Sequence, residues 1–352
     1  LKKLSYILLL LSLMILNISA CASNKTTQIT KAQEKTIQGQ HFFLNSMLTV
    51  NILDDRADKE ELNKKISQLV QDYEEKFTTK SDTSEVSKIS QSAGKSSVKV
   101  SNSTYELIQE SIKYSELSDG AFDVTIQPLN AIWGIGTENE NVPSQKNIDK
   151  ALNLIDYKKI EFNDADKSIF LKNQGMSIDL GAIAKGYVTD KIIELLKQND
   201  VSSAIINMGG NIYVLGNKNG QDYKVGIRDG FSKDPSQCFC IYKGQNISVV
   251  TSGVYERNFT KDGKFYHHIL STKDGYPIKN GIYATSIICK NSTVSDAMST
   301  TVFTLGIEKG MQLLENMDGV EGMIITNDKK VYLSSGLKDK IEITNKEYQV
   351  QN

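Results

Sequence analysis

Cysteine is scarce in this chain. It has four in 352 residues, and three of them, Cys238, Cys240 and Cys289, fall in its body. Three thiols cannot all pair within one chain, and they lack two clusters at zinc-finger spacing. Neither a disulfide framework nor a structural zinc is signalled. Excess positive charge is missing too. Taking Lys2 and Lys3 away from the 41 basic residues leaves 39 against 42 acidic ones, a net of about −3. That is no electrostatic footprint for nucleic acid, and no nucleic-acid partner is expected. Histidine numbers three and tryptophan one. No stretch beyond the N-terminus is apolar enough to cross a membrane. No internal repeat is present, nor any low-complexity tract beyond the serine-rich segment 81–103.

What is present begins with an export signal. Lys2 and Lys3 precede the apolar run Ile7 to Leu16, and Ile18-Ser19-Ala20-Cys21 follows. A short basic region, an apolar core too short to span and small residues at its end describe a cleaved signal. The cysteine directly after the small residues resembles the bacterial lipobox. Residues 1–20 are therefore expected to be removed, Cys21 to be lipidated, and the protein to sit outside the cytoplasm, anchored to the cell membrane. Residues 21–40 are polar and read as a flexible tether. Residues 41–345 are left for the folded domain.

Along that domain, strand and helix patterns mix without a steady βαβ beat, which favours an α+β fold. The stretch 42–53, "FFLNSMLTVNIL", reads as an opening strand. Leu62, Ile66, Leu69, Val70, Tyr73 and Phe77 recur at helical spacing. A capping box, Ser103 with Glu106, predicts a second long helix that stops at Asp119-Gly120. "SIFLKNQGMSIDL" suggests a hairpin or a pair of strands. Val188, Ile192, Leu195 and Leu196 line a helix, another helix is expected to begin near Asp296, and a hairpin turns at Asn327-Asp328.

Four stretches carry candidate chemistry. "IDLGAIAKGYVTD", residues 178–190, is a glycine-punctuated loop opening a helix. It is not a Walker loop, because Lys185 precedes Gly186 and Tyr187 follows. Free N–H groups at a helix start and a nearby lysine suit an anion, although the glycines would serve a tight corner equally well. In "TVSDAMSTTVFTLG", Asp296 and Thr300 lie four apart and share a helix face. Both are hard oxygen donors, which suit Mg2+ when substrate phosphates complete its shell. In "GKFYHHILSTKDGYPI", His267 and His268 are adjacent, so on a strand only one of them can face a given site. In "SDGAFDVTIQPLNAIWGIG", Asp123 stands among apolar residues and needs a partner.

Taken in order, "GAFDVTIQPLNAIWG", "IDLGAIAKGYVTDKI", "INMGGNIYVLG", "TSGVYERNF", "HHILSTKDGYPI" and "VSDAMSTTVFTLG" resemble the ApbE-type FAD:protein FMN transferases. The resemblance runs from about Phe42 to Leu337. It implies an ApbE-like α+β fold with mixed sheets and packed helices, forming two lobes around an FAD and Mg2+ site. It also implies Mg2+-dependent transfer of FMN from FAD to a threonine or serine hydroxyl of a redox protein, with release of AMP. The metal would be held by Asp296, Thr300 and the carbonyl of Ala182. Flavin contacts would map to Ala121, Phe122, Asp123, Asp179 and Lys185, with Leu270 beside the ring system. His268 matches the family's histidine, a candidate for catalysis. Acceptors of the family carry a D-x-x-[ST]-G-A-[ST] segment, which this chain lacks.

The chain departs from the family where Ser271-Thr272 replaces the usual Asp-Pro, and where "LNSMLTV" replaces a Met-Gly-Thr segment. Two other functions remain open at this level: hydrolysis of FAD to FMN and AMP, and FAD binding without turnover.

Overall fold

A computed structural model describes residues 38–351. The export signal, Cys21 and the tether up to residue 37 lie outside the described residues. Strands β1 (Gln38–Phe43) and β2 (Ser46–Ile52) form an antiparallel hairpin, where a single strand was expected over 42–53. The chain reverses at Leu44 and Asn45, with φ of 44° and 63°, a two-residue turn whose twist suits a hairpin. No glycine marks it, so the run of β-formers concealed it.

Helix α1 (Lys59–Phe77) buries Leu62, Ile66, Val70 and Phe77, the stripe its spacing predicts. After α2 (Glu85–Gln91) and the short β3 (Val98–Lys99) comes α3 (Asn102–Leu117). Its end at Asp119-Gly120 is as expected, both residues having positive φ. Its cap is Ser101 rather than Ser103. Ser101 is extended and its side chain accepts from the Thr104 N–H, the backbone a cap needs, whereas Ser103 is already inside the helix.

Helices α4 (Gln127–Trp133) and α5 (Gln145–Leu152) precede β4 (Ile160–Asn163) and β5 (Ser168–Leu171). Only the first part of "SIFLKNQGMSIDL" is therefore strand, hairpinned with β4. Met176, Ile178 and Leu180 are buried from an irregular segment that leads into α6 (Ala184–Gln198).

Strands β6 (Ala204–Met208), β7 (Asn211–Leu215), β8 (Tyr223–Arg228), β9 (Cys238–Gly244) and β10 (Ile247–Gly253) follow. Next come the hairpin β11 (Asn258–Lys261) and β12 (Lys264–His267), then β13 (Ile282–Cys289). Helices α7 (Ser292–Leu305) and α8 (Ile307–Glu315) lead to β14 (Val320–Thr326) and β15 (Lys330–Leu333). The chain closes with β16 (Ile341–Ile343) and β17 (Gln349–Gln351).

A nine-stranded sheet in the order β1-β2-β6-β7-β10-β13-β14-β15-β17 organises the whole. Strand alternation divides its residues between two cores. From β13, Ile287 and Cys289 join the core on the helical face, while Ala284 and Ile288 join the core on the other face. Helices α1, α6, α7 and α8 contact strands of this sheet. The small sheet β16-β9-β8 supplies Val225, Ile227, Phe239 and Tyr242 to the second core. A third cluster gathers Leu129, Trp133, Ile148 and Leu270. These residues make one compact unit, an α+β fold with layers on both sides of a mostly antiparallel sheet. Cys238, Cys240 and Cys289 are free thiols. No helix among the described residues is long and apolar enough to cross a membrane.

Candidate active site

Helix α7 starts at Ser292, four residues before Asp296, because Asn291 is extended and its side chain accepts the Val294 N–H. The helix is buried on nearly all sides, contacting β10, β13, α6 and α8. Asp296 keeps only 2% of its surface. The hydroxyls of its neighbours Ser299 and Thr301 bond back to the carbonyls of Asp296 and Ala297. The Thr300 hydroxyl, half-buried on the face of Asp296, is engaged by no such bond among the described residues.

Helix α6 meets α7 at Gly186, where an added Cβ would lie 2.2 Å from the carbonyl oxygen of Ser292. Only glycine allows that approach. The Gly186 N–H donates to Asp296 Oδ2 at 2.9 Å. Gly186 is the third residue of α6, in the first turn, where N–H groups have no acceptor within the helix. The ladder of α6 begins after Ala182, with the Tyr187 N–H on the Ile183 carbonyl, and no main-chain donor meets the Ala182 carbonyl among the described residues. Lys185 completes the group: its Nζ donates to the Gly181 carbonyl at 2.9 Å and lies 3.4 Å from Asp296 Oδ1. Among the described residues no set of three or more His, Cys, Asp and Glu side chains could hold a metal. A cation here would depend on one carboxylate plus hydroxyl and carbonyl oxygens, a donor set that fits Mg2+ and not a soft metal.

The earlier loop is tied to this one. The Asp179 N–H donates to the Val124 carbonyl at 2.9 Å. Asn130 Nδ2 donates to Asp179 Oδ2 at 2.7 Å, and the Gly181 N–H donates to its Oδ1 at 2.6 Å. Asp123 has the partners its burial demands. Its carboxylate accepts the N–H and hydroxyl of Thr125 and the N–H of Tyr157. Burial still raises its pKa above the usual carboxylate value, against those three donors. Phe122 is buried in the main core, and Ala121 is half-buried. The side chains of Phe122 and Asp123 face inward, so the main chain and Ala121 are what this loop presents.

The two histidines divide as strand alternation requires. His267, 5% exposed, places Nε2 against the Ile278 carbonyl at 3.0 Å and Nδ1 against the Ile269 N–H at 3.3 Å. Both its nitrogens are committed to the fold. His268 places Nδ1 against the Arg257 carbonyl at 3.2 Å, and its own N–H donates to the same oxygen. A carbonyl can only accept, so Nδ1 carries the proton and Nε2 keeps a free lone pair. His268 retains some accessible surface yet lies deep among protein atoms. Burial first, then the charges of Arg257 and Lys185, push its pKa down to about 3.

Beyond His268, Leu270 is buried in the third cluster and bridges to Pro277. Ser271 and Thr272 stand where an Asp-Pro pair was looked for. The Ser271 hydroxyl accepts the N–H groups of Lys273 and Asp274, a turn that an aspartate makes in the same way. Thr272 Oγ1 donates to the Gly120 carbonyl at 2.8 Å, tying this segment to the loop of Ala121.

Several residues at the site escaped sequence reasoning. Glu256 lies 3.8 Å from Arg228, and burial raises its pKa even though Arg228, Arg257 and Lys185 pull it down. Arg257 serves through its carbonyl, which no side-chain pattern reveals. Asp190, on α6, accepts bonds from the first turn of α7. An open depression of about 570 Å3 lies elsewhere, at the end of α1 beside Asp72, Glu75 and Ser81, and holds none of these groups.

Comparison with known proteins gives the family and the fold. The model of the ApbE family matches residues 44–324. A curated FAD:protein FMN transferase of Klebsiella pneumoniae (strain 342) is 35% identical over 291 residues, covering 83% of this chain and 90% of that protein. Its counterpart in Treponema pallidum (strain Nichols) is 34% identical, covering 78% and 80%. The crystal structure of the apbe protein of Thermotoga maritima msb8 superposes with a TM-score of 0.80 at 30% identity, covering 87% of this chain and 99% of that one. The flavin transferase ApbE from Vibrio cholerae shares the fold, with a TM-score of 0.77 at 23% identity.

Proposed function

The chain belongs to the ApbE family, and on that premise we propose that it is an FAD:protein FMN transferase. Its substrates are FAD and a threonine or serine hydroxyl of an extracytoplasmic redox protein, and its products are a phosphoester-linked flavin and AMP. The observation that carries the reading is the start of α6: its Gly186 N–H donates to the Asp296 carboxylate, and the Ala182 carbonyl just before it meets no main-chain donor among the described residues. With the Thr300 hydroxyl, these oxygens form the donor set for Mg2+. When bound, the ion supplies charge neutralisation on the pyrophosphate oxygens, which is most of what such a transfer needs.

The chain's own residues supply the rest. Lys185 stands next to that donor set as a second positive charge for the pyrophosphate. The loops of Ala121–Asp123 and Asp179 present main chain to the flavin dinucleotide, with Leu270 on the apolar side. His268 stays neutral, and its Nε2 accepts the proton of the incoming hydroxyl as that oxygen bonds to the FMN phosphorus. The bond from this phosphorus to the bridging oxygen breaks in the same step, and AMP departs with that oxygen. Cys21 lipidation would hold the domain to the outer side of the cell membrane, where its acceptor protein must also be exposed.

The test is mass spectrometry of a peptide bearing a D-x-x-[ST]-G-A-[ST] segment, incubated with the protein, FAD and Mg2+. An FMN-sized gain that disappears with EDTA supports the transferase. Free FMN and AMP with an unmodified peptide would assign hydrolysis instead, and intact FAD would assign binding without turnover.

A further inference from the structure

The start of α7 carries two caps. Asn291 Oδ1 accepts the Val294 N–H at 2.8 Å. Asp190 reaches across from α6 for the rest: its Oδ1 accepts the Ser292 N–H at 2.9 Å, and its Oδ2 accepts the Thr293 N–H at 2.8 Å and hydroxyl at 2.6 Å. Every unpaired N–H of the first turn is thereby satisfied. Neutral groups could do the same, and a carboxylate in this place is costly. Burial raises the Asp190 pKa even with three donors on it.

The charge has a use one turn further along. A helix N-terminus carries a partial positive charge, about half an elementary unit. Asp296 lies four residues inside that end of α7, so a cation approaching it meets the field of the same terminus. A carboxylate on the terminus cancels this field. The helices are also tied reciprocally, Asp190 of α6 to the amides of α7 and Asp296 of α7 to the Gly186 amide of α6. The close contact at Gly186 makes the position of Asp296 depend on both ties.

We propose that Asp190 is a positioning residue for the cation site: it offsets the positive end of α7 and locks α6 to α7, keeping Asp296, Thr300 and the Ala182 carbonyl in an electronegative arrangement. This rests on the reading that Asp296 and Thr300 hold the metal. Mn2+ binding to the full-length chain, followed by electron paramagnetic resonance without FAD, tests it. D190N is expected to raise the Mn2+ dissociation constant about fivefold to tenfold, and D190E to stay within about threefold of wild type. N291A removes the neutral cap from the same turn, so it should lower the melting temperature and leave Mn2+ affinity unchanged. Wild-type affinity in D190N, or an equal loss in N291A, would overturn the proposal. If D190N is too unstable to titrate, D190E decides, and a loss of about tenfold or more in it would overturn the proposal. D296N separates the two levels: wild-type binding by D296N would overturn the metal reading itself, whereas loss in D296N and none in D190N overturns this proposal alone.

Discussion

The two faces of the main sheet each bury an aspartate, and the two are used in opposite ways. On the face covered by the small sheet, Asp229 is 4% exposed and saturated with donors. It accepts the Tyr348 hydroxyl at 2.5 Å, the Phe231 N–H at 3.0 Å and Asn345 Nδ2 at 3.1 Å. Burial alone would raise its pKa, but these bonds outweigh burial and hold it below the usual carboxylate value. Stacked aromatics close around it, Phe231 on Tyr283 at 3.7 Å and Phe239 on Tyr348 at 4.3 Å. On the helical face, Asp296 is as deeply buried but accepts one amide N–H, and among the described residues its other oxygen has only Lys185 at 3.4 Å. A carboxylate whose lone pairs are all spent holds a fold together. One left half-satisfied, on a helix face shared with a hydroxyl that makes no bond among the described residues, can accept a cation.

The largest effects should come from exchanging those two fates. D296N is expected to cut transfer by more than about a hundredfold, because the charge that would hold the cation on the pyrophosphate is lost. Its urea midpoint should stay near wild type. D229A leaves a phenol, an amide and an N–H without their acceptor, so it should cost about 2–4 kcal/mol of stability with transfer per folded molecule intact. Urea melts and turnover measured on the same preparations check both, and the contrast fails if either variant loses both properties. Next in size, H268A should lower kcat about a hundredfold with the KM for FAD little changed. H267A should act on stability instead, since both nitrogens of His267 bond to main chain. Steady-state kinetics on the acceptor peptide separates them, and near-normal transfer by H268A removes its role as base.

A pH effect comes next. His268 is held neutral in the folded chain, its pKa pushed down to about 3, while the unfolded chain protonates histidine near pH 6.5. Below that value the unfolded state binds the extra proton, so unfolding free energy should fall as pH drops from about 6.5 towards 3. Denaturant melts across this range should show the slope, and H268Q should flatten it. An unchanged slope in H268Q would mean that His268 protonates freely when folded. The smallest effect is expected from T272V, which removes the bond to the Gly120 carbonyl. It should cost about 1 kcal/mol and raise the KM for FAD without changing kcat, because it loosens the loop of Ala121 and touches no reacting group. A fall in kcat would place Thr272 nearer the chemistry than this.

Much of the fold was legible because its signals are local. The stripe of α1, the stop of α3 at Asp119-Gly120 and the hairpin after Val320 follow from spacing and turn residues. The first hairpin was not, because Leu44 and Asn45 take left-handed backbone without a glycine. The start of α7 was read four residues late for a related reason. Asp296 has the residue type of a cap, but Asn291 and Asp190 already satisfy the helix end from outside. Of the site, the i, i+4 pair Asp296 and Thr300 was readable from helix geometry. The identity of the third oxygen was not. It is a main-chain atom just before the ladder of α6, and only the resemblance to a family pointed to Ala182. The carbonyl of Arg257, which fixes the tautomer of His268, is equally invisible, because a main-chain atom leaves no mark on residue type.

The central claim is that the half-satisfied carboxylate of α7, and not the saturated one across the sheet, holds the cation of a flavin transfer. A crystal of the protein soaked in Mn2+, measured at an X-ray wavelength where manganese scatters anomalously, tests it most directly. An anomalous peak bounded by Asp296 Oδ1, the Thr300 hydroxyl and the Ala182 carbonyl, with Lys185 Nζ moved off Asp296, is the predicted result. No peak there, with Lys185 still bridging Asp296 and the Gly181 carbonyl, would contradict it.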